Sequence, residues 1–183
     1  VYDRPHRLTV NYLWEIPGPK DGVLGAIIGG WQVSGVTSGQ SGRPFTVISG
    51  VDTNGDGSAA GDRPNVNPSG TIGWADDHRS FTNNGYFVVP LGANGLPLQN
   101  SLGNGNAPRN GLRAMPWWNT NLALFKRFGV GYGRVTLRID VFNLLNQDNT
   151  GIPQNNMNSL TFGQPSTGSW GRRYAQVSPK YSF

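Results

Sequence analysis

Residues 170–183 read WGRRYAQVSPKYSF, and their alternation decides the fold. Counting back from the end, Phe183, Tyr181, Pro179, Val177 and Ala175 are apolar or nearly so. Ser182, Lys180, Ser178 and Gln176 between them are polar. A period of two puts alternate side chains on opposite faces of a strand, one dry and one wet. The strand stops on an aromatic residue. Exposure to water gains nothing for such a side chain, whereas transmembrane barrels carry aromatic girdles at the membrane–water interfaces. Pro179 has no N–H for the ladder, so a bulge or a strand end is expected there.

The pattern recurs towards the N-terminus. Arg134–Leu145, RVTLRIDVFNLL, places Val135, Leu137, Ile139 and Val141 on one face; Arg138 and Asp140 fall on the other, two residues apart and able to pair. Trp117–Phe128, WWNTNLALFKRF, alternates through Trp118, Thr120, Leu122 and Leu124, and Gly129–Gly133 reads as a tight turn between these two strands. His6–Ile16, HRLTVNYLWEI, sets His6, Leu8, Val10, Tyr12, Trp14 and Ile16 against Arg7, Thr9, Asn11, Leu13 and Glu15. Tyr12 and Trp14 lie toward one end, as an aromatic belt requires. Pro17-Gly18-Pro19 ends this strand, a connection follows through Lys20, and Val23–Ile28 reads either as one turn of helix or as the start of the next strand. Trp31–Ser49 is β-rich but broken by Gly39, Gly42 and Pro44, which predicts one long bent strand or a strand with a bulge.

Gly50–Pro116 is long, irregular and rich in Gly, Asn, Pro and Asp, and Gln147–Ser169 is a second polar loop. Inside a compact soluble domain a structureless connection of that length argues against the assignment. On a membrane barrel it is expected, because outward loops are long and inward turns short. With Phe183 on the inner side, both long loops fall outside. The expected fold is therefore all-β: antiparallel up-and-down strands of a transmembrane β-barrel, about five C-terminal strands with long outer loops, residues 50–116 forming the largest. Five strands cannot close a barrel. The chain starts at Val1, not Met, so a fragment of a larger barrel is expected.

Composition narrows the function classes. The chain has 183 residues and 27 Gly. It contains no Cys, which excludes disulfides, thiolate metal sites and Cys nucleophiles. No run of about 18 apolar residues exists, so no helix is expected to span a membrane; barrel strands stay mild on hydropathy. The net charge is +5, but the basic residues are scattered, from Arg4, Arg7, Arg43 and Arg63 to Arg79, Arg109, Arg113 and Arg172. Solvated or lumen-facing arginines fit this better than a nucleic-acid surface.

Three groups of residues carry possible chemistry. Asp52-Thr53-Asn54-Gly55-Asp56-Gly57, with Asp62 beyond, spaces oxygen ligands at alternate positions around a Gly turn, as a Ca²⁺ loop needs. Asp52, Asn54, Asp56 and Asp62 are the candidate ligands. Against an EF-hand, the twelfth position is Arg63 and no flanking helices are visible, and an Asx-rich turn without metal stands as the alternative. Trp74, Phe81 and Tyr86, in the long loop, are candidates to contact a ligand, and equally to pack the loop against itself. Trp117 and Trp118 enter a strand. His78 sits beside Asp76 and Asp77, yet no GxSxG surrounds a serine, so a solvated loop is the expectation and no catalytic residue is assigned. Gly103-Asn104-Gly105 and Gly129-Val130-Gly131 read as turns, since no P-loop lysine and helix follow.

Several phrases, in order, carry a resemblance: DRPHRLTVNYLWEIP, GGWQVSGVTSGQSGRPF, DTNGDGSAAGDRPN, RNGLR, NTNLALFKRF and LRIDVFNLLNQ. Together they cover nearly all of the chain, and FNLLN (Phe142–Asn146) before an aromatic-ended last strand is the most specific. The sequence resembles the C-terminal end of a TonB-dependent outer-membrane receptor of the Oar-like kind, which often carries a carboxypeptidase-regulatory-like domain. The resemblance implies a barrel of about 22 strands with a plugged lumen. It also implies an inner-membrane TonB complex that supplies energy through an N-terminal part not found here. The partners it implies are outer-membrane lipid, the rest of the barrel, the plug and the barrel-assembly machinery. That machinery reads the family's terminal aromatic, which maps onto Phe183, with Tyr181 and Val177 as alternating partners; Pro179 departs from the apolar residue usual there. Arg109 and Arg113 match the family's RNxxR phrase, implying a structural role near the barrel rim. The function expected is ligand capture by outer loops and energised passage, with no covalent chemistry. A secreted or surface β-sheet adhesion or carbohydrate-binding module with a Ca²⁺ loop is the alternative.

Overall fold

The computed structural model describes residues 3–19, 21–89, 91, 105–166 and 171–183. The chain divides into two compact units. One is a sheet unit of residues 6–40, 118–148 and 170–183; the other is a loop unit of residues 1–5, 41–117 and 149–169.

The sheet unit contains five strands: β1 (Arg7–Glu15), β2 (Trp31–Gln40), β9 (Trp117–Val130), β10 (Gly133–Phe142) and β11 (Tyr174–Ser182), hydrogen-bonded in the order β1-β2-β9-β10-β11. Each long strand of the sequence reading is present. The pairs β1–β2, β9–β10 and β10–β11 are antiparallel. The sheet is open, with β1 and β11 at its edges. Strands of 9 to 14 residues match the length a tilted strand needs to cross a bilayer. Gly131, at φ 59°, is the first of the two residues joining β9 to β10, the place a two-residue hairpin reserves for glycine. The apolar piece before β2 is a helix, α1 (Gly22–Ile28). Pro179 lies neither at a bulge nor at a strand end. It sits within the continuous β11 register opposite Leu137, on an edge strand, where a missing donor is tolerated.

Two expectations for the loops are corrected. Trp31–Ser49 is not one bent strand: β2 ends at Gln40, and Pro44–Phe45 forms a separate short strand, β3. The glycines and Pro44 release the chain from the long ladder, and Arg43 O then accepts from Ala114 N at 3.0 Å. Residues 50–116 are not structureless either. They supply β4 (Asn65–Val66), β5 (Thr71–Trp74), β6 (Phe81–Asn84), β7 (Phe87–Val88) and β8 (Leu112–Arg113), paired β3–β8, β4–β7 and β5–β6, all antiparallel. Around these ribbons the unit buries Phe45, Val47, Phe81, Phe87, Ala107 and Ala114. Ile152, Met157 and Phe162 from the second loop pack on the same core. A bridge from Ile48 to Asn156 and the bond from Phe81 N to Gly163 O tie that loop in. The fused core answers the objection to so long a connection, since its backbone groups find partners within the unit. The Gly103–Asn104 turn and Trp170 lie outside the described residues.

Candidate functional site

Cross-strand register sorts the sheet's side chains into two faces. Val135, Leu137, Ile139 and Val141 stand opposite Phe128, Lys126, Leu124 and Leu122 on β9, and opposite Tyr181, Pro179, Val177 and Ala175 on β11. On β1 and β2, Leu8, Val10, Tyr12 and Trp14 pair with Gly39, Thr37, Gly35 and Val33. The 3.1 Å contact between the hydroxyls of Thr37 and Thr120 joins the two halves on one face. Partners directly opposite in a ladder share a face, so one surface is apolar across all five strands, with Lys126 its single cation. Two aromatic rings cover glycines on it. A Cβ on Gly35 would lie 2.4 Å from the Tyr12 ring, and one on Gly133 would lie 2.3 Å from the Tyr181 hydroxyl. Rings laid over glycine pin register in strongly twisted sheets.

The other face carries Arg7, Thr9, Asn11, Gln32, Ser34, Ser38, Gln40, Asn121, Arg127, Arg134, Thr136, Arg138, Asp140, Gln176, Ser178 and Lys180, interspersed with Leu13, Val36, Ala123, Phe125 and Phe142. The expected Arg138–Asp140 pair forms. Arg138 Nε donates to both Asp140 oxygens at 2.9 Å, and Nη2 donates to Oδ1 at 2.8 Å. A shallow concavity of about 350 Å³ is lined by Asn11, Ser34, Asn121, Arg138 and Asp140 together with the apolar Val36, Ala123 and Phe142. A face rich in polar side chains with a fixed ion pair suits a water-filled lumen, and a continuous apolar band suits lipid.

The FNLLN phrase is a clamp at the end of β10. Asn143 and Asn146 adopt φ 51° and 50°, a left-handed conformation that Asn tolerates better than most residues. Asn143 Nδ2 donates to Gln147 O at 2.9 Å and to Gly171 O at 2.7 Å. Its Oδ1 accepts from Gln147 N at 2.8 Å, and its own N–H donates to Asn121 Oδ1 at 3.0 Å. Asn146 Oδ1 accepts from Arg173 N at 3.1 Å. The phrase thus binds β9, β10 and the start of β11 together.

In the loop unit the four candidate Ca²⁺ ligands are engaged in hydrogen bonds within their own loop. Asp62, 1% exposed, turns Oδ2 to Thr53 N at 2.5 Å, Thr53 Oγ1 at 3.0 Å and Asn54 N at 3.2 Å. Asp52 accepts from Gly55 N at 2.6 Å and Gly57 N at 3.0 Å. Asn54 and Asp56 bond each other, Asp56 N donating to Asn54 Oδ1 at 2.9 Å and Asn54 Nδ2 to Asp56 Oδ2 at 3.0 Å. Among the described residues no group of three or more acidic or histidine side chains is placed to hold a metal. In this arrangement the Asp52 and Asn54 oxygens close Asx turns, while two backbone N–H groups and the Thr53 hydroxyl donate to the buried Asp62 carboxylate.

The loop aromatics divide. Phe81, expected as a possible ligand contact, is core: it is 3% exposed and packs edge-on against Phe162 at 5.2 Å and beside Phe45 at 6.2 Å. Trp74 is half-buried over Phe81 at 5.3 Å, and His78, in the turn between β5 and β6, lies 5.7 Å from the Trp74 ring. Tyr86 meets Phe87 edge-on at 5.0 Å and lines a cavity of about 50 Å³ with Phe45, Val47, Ile72 and Leu112. A space of that size admits a few waters at most. Arg113 bonds Asp3 through both its carboxylate (2.5 Å) and its carbonyl (3.2 Å), and also Gly42 O at 3.3 Å.

On the last strand Val177, Tyr181 and Phe183 are exposed, the first two in the apolar row. Sequence reading passed over Lys126. It occupies a position where the alternation of β9 demands an apolar side chain, and that misfit was the available signal. It is only 5% exposed, and its ammonium donates to Ala26 O at 2.5 Å and Ile27 O at 2.9 Å.

A family model for the outer membrane beta barrel domain matches residues 1–176. No curated protein and no solved structure matches the chain. The match takes in all but the final residues of a sheet with one apolar and one polar face: the chain belongs to the outer membrane beta barrel domain family, and its place is the outer membrane.

Proposed function

We infer that the chain is the C-terminal barrel segment of a TonB-dependent outer-membrane receptor. The observation that carries this reading is the Asn143–Asn146 clamp. The phrase on which the resemblance to such receptors chiefly rests is spent here on joining three adjacent strands just before the aromatic-ended β11. The distribution of connections supports it. The two long segments between strands fold into a unit with its own core, which gives a receptor a shaped outer surface. The two short connections, residues 16–30 and 131–132, share one end of the sheet.

In this reading the outer unit captures a ligand, and energised passage through the lumen follows along the polar face that holds Arg138 and Asp140. Binding and conformational work suffice, and no covalent step is assigned to the chain. The partners are lipid on the apolar face, the remaining strands and plug of the same protein, the TonB complex, and the barrel-assembly machinery at Phe183, Tyr181 and Val177.

The test is genetic. Deleting the native gene and disabling the energising complex should abolish depletion of the same compounds from the medium, with no added loss when both are removed. A deletion that leaves uptake intact and alters only surface adhesion would favour a binding module instead.

A further inference from the structure

Helix α1 is built only from Gly, Ala, Val, Leu and Ile, and Val23, Leu24, Ile27 and Ile28 are 76%, 65%, 61% and 51% exposed. In a turn surrounded by water, four such side chains face the wrong solvent. Three contacts fix where the helix lies. Lys126 belongs to the apolar row of β9, beside Leu137 of β10. Its ammonium donates to the carbonyls of Ala26 and Ile27 in the last turn of α1, where a cation also complements the helix dipole. Trp31, the first residue of β2, donates from Nε1 to Ile27 O at 3.0 Å, and its ring lies 5.4 Å from the Lys126 ammonium. The end of α1 is therefore held over the apolar face of β2 and β9, at the short-turn end of the sheet.

We propose that α1 is an interfacial foot, lying in the headgroup–acyl boundary of the inner leaflet of the outer membrane, with phospholipid chains as the occupant of its aliphatic surface. Continuity argues for lipid. The same face carries Leu122, Leu124, Val135 and Ile139 into the bilayer, and the end of α1 held against Lys126 joins its aliphatic surface to that band. The anchoring explains Lys126. A charge in a lipid-facing row is tolerated near an interface when its stem lies along apolar surface and its head finds polar partners. Here the helix brings those partners, so the cation stays satisfied without reaching water. The inference rests on membership of the outer-membrane barrel family and not on the receptor reading.

Nitroxide labels on Leu24→Cys and Ile27→Cys, with Val23→Cys as a second helix site, would be read in the full-length native protein in phospholipid nanodiscs. Ile139→Cys and Thr136→Cys serve as lipid and lumen references, and Tyr132→Cys as the water reference in the β9–β10 turn. The expected result is relaxation by oxygen and protection from a water-soluble nickel chelate at the helix sites, as at Ile139. In addition, Lys126→Met should raise nickel accessibility at Ile27→Cys several-fold. Nickel accessibility at the helix equal to that at Tyr132 would overturn the proposal, because the foot would then stand in water. Protection from both reagents would also overturn it, since a protein surface would be the occupant. Loss of the Ile139–Thr136 contrast would instead condemn the orientation of the whole sheet.

Discussion

The sheet unit and the loop unit solve the same problem in opposite directions. The loop unit gathers Phe45, Val47, Phe81 and Phe87 into a dry interior, as a protein in water does. The sheet unit has no such interior. Its sole fully buried apolar residue among those described is Ala123, while Leu8, Val10, Trp14, Phe128, Val177 and Tyr181 stand exposed on one face. The sheet's driving force is therefore completed by a second solvent. One chain folds part of itself against water and part against lipid, and the family match to outer-membrane barrels names that second solvent.

Substitutions that are harmless in one unit should be costly in the other. The largest effect is expected from Phe81→Ala, about 3–5 kcal/mol for deleting a fully buried ring. Limited proteolysis of the full-length protein should then cut within residues 41–116 while the barrel keeps its heat-modifiable migration. Loss of both together would show that the units fold as one. Ile139→Arg should cost about 2–4 kcal/mol by placing a cation in the lipid row away from the interface, against little change for Thr136→Arg on the other face. Urea unfolding in vesicles measures the difference, and equal effects at the two sites would erase the contrast between faces. Asn143→Ala should lose about 1–3 kcal/mol, because it orphans the Gln147 N–H and carbonyl and the Gly171 carbonyl. Asn143→Gly, which keeps the left-handed backbone but not the bonds, should recover little. Smallest is Arg138→Met, at about 1 kcal/mol or less for an ion pair exposed to the lumen. Added Ca²⁺ should leave cleavage at Gly55–Gly61 unchanged while Asp52 and Asp62 hold their backbone donors. Protection rising with Ca²⁺ would show that those bonds give way to a metal.

What was legible in the sequence follows from the same contrast. The strands of the sheet were readable because lipid on one side and a wet lumen on the other impose a period of two, residue by residue. His6–Ile16 and Arg134–Phe142 needed no tertiary information. The loop core was not readable. Phe45, Phe81, Phe87 and Phe162 come from positions with no shared period, joined by strands as short as β3 and β8, so the sequence left Phe81 open between a ligand contact and a packing residue. The Asp52–Asp62 spacing was ambiguous for another reason. Oxygen atoms at alternate positions suit a cation and Asx turns alike, and only the placement of Thr53 beside Asp62 shows which bonds they make here. Lys126 was visible as an exception to its strand's alternation, but its partners lie on α1, far away in sequence.

The most direct test of the central claim is cysteine scanning along β10 from Arg134 to Val141, in intact outer membranes. The chain has no native cysteine, so any other cysteines of the full-length protein would be replaced first. Each site is treated with a water-soluble maleimide. The account predicts a period of two, with Arg134, Thr136, Arg138 and Asp140 sites modified from the lumen and Val135, Leu137, Ile139 and Val141 sites protected by lipid. Uniform modification along the strand, or protection of the even-numbered sites instead, would contradict it.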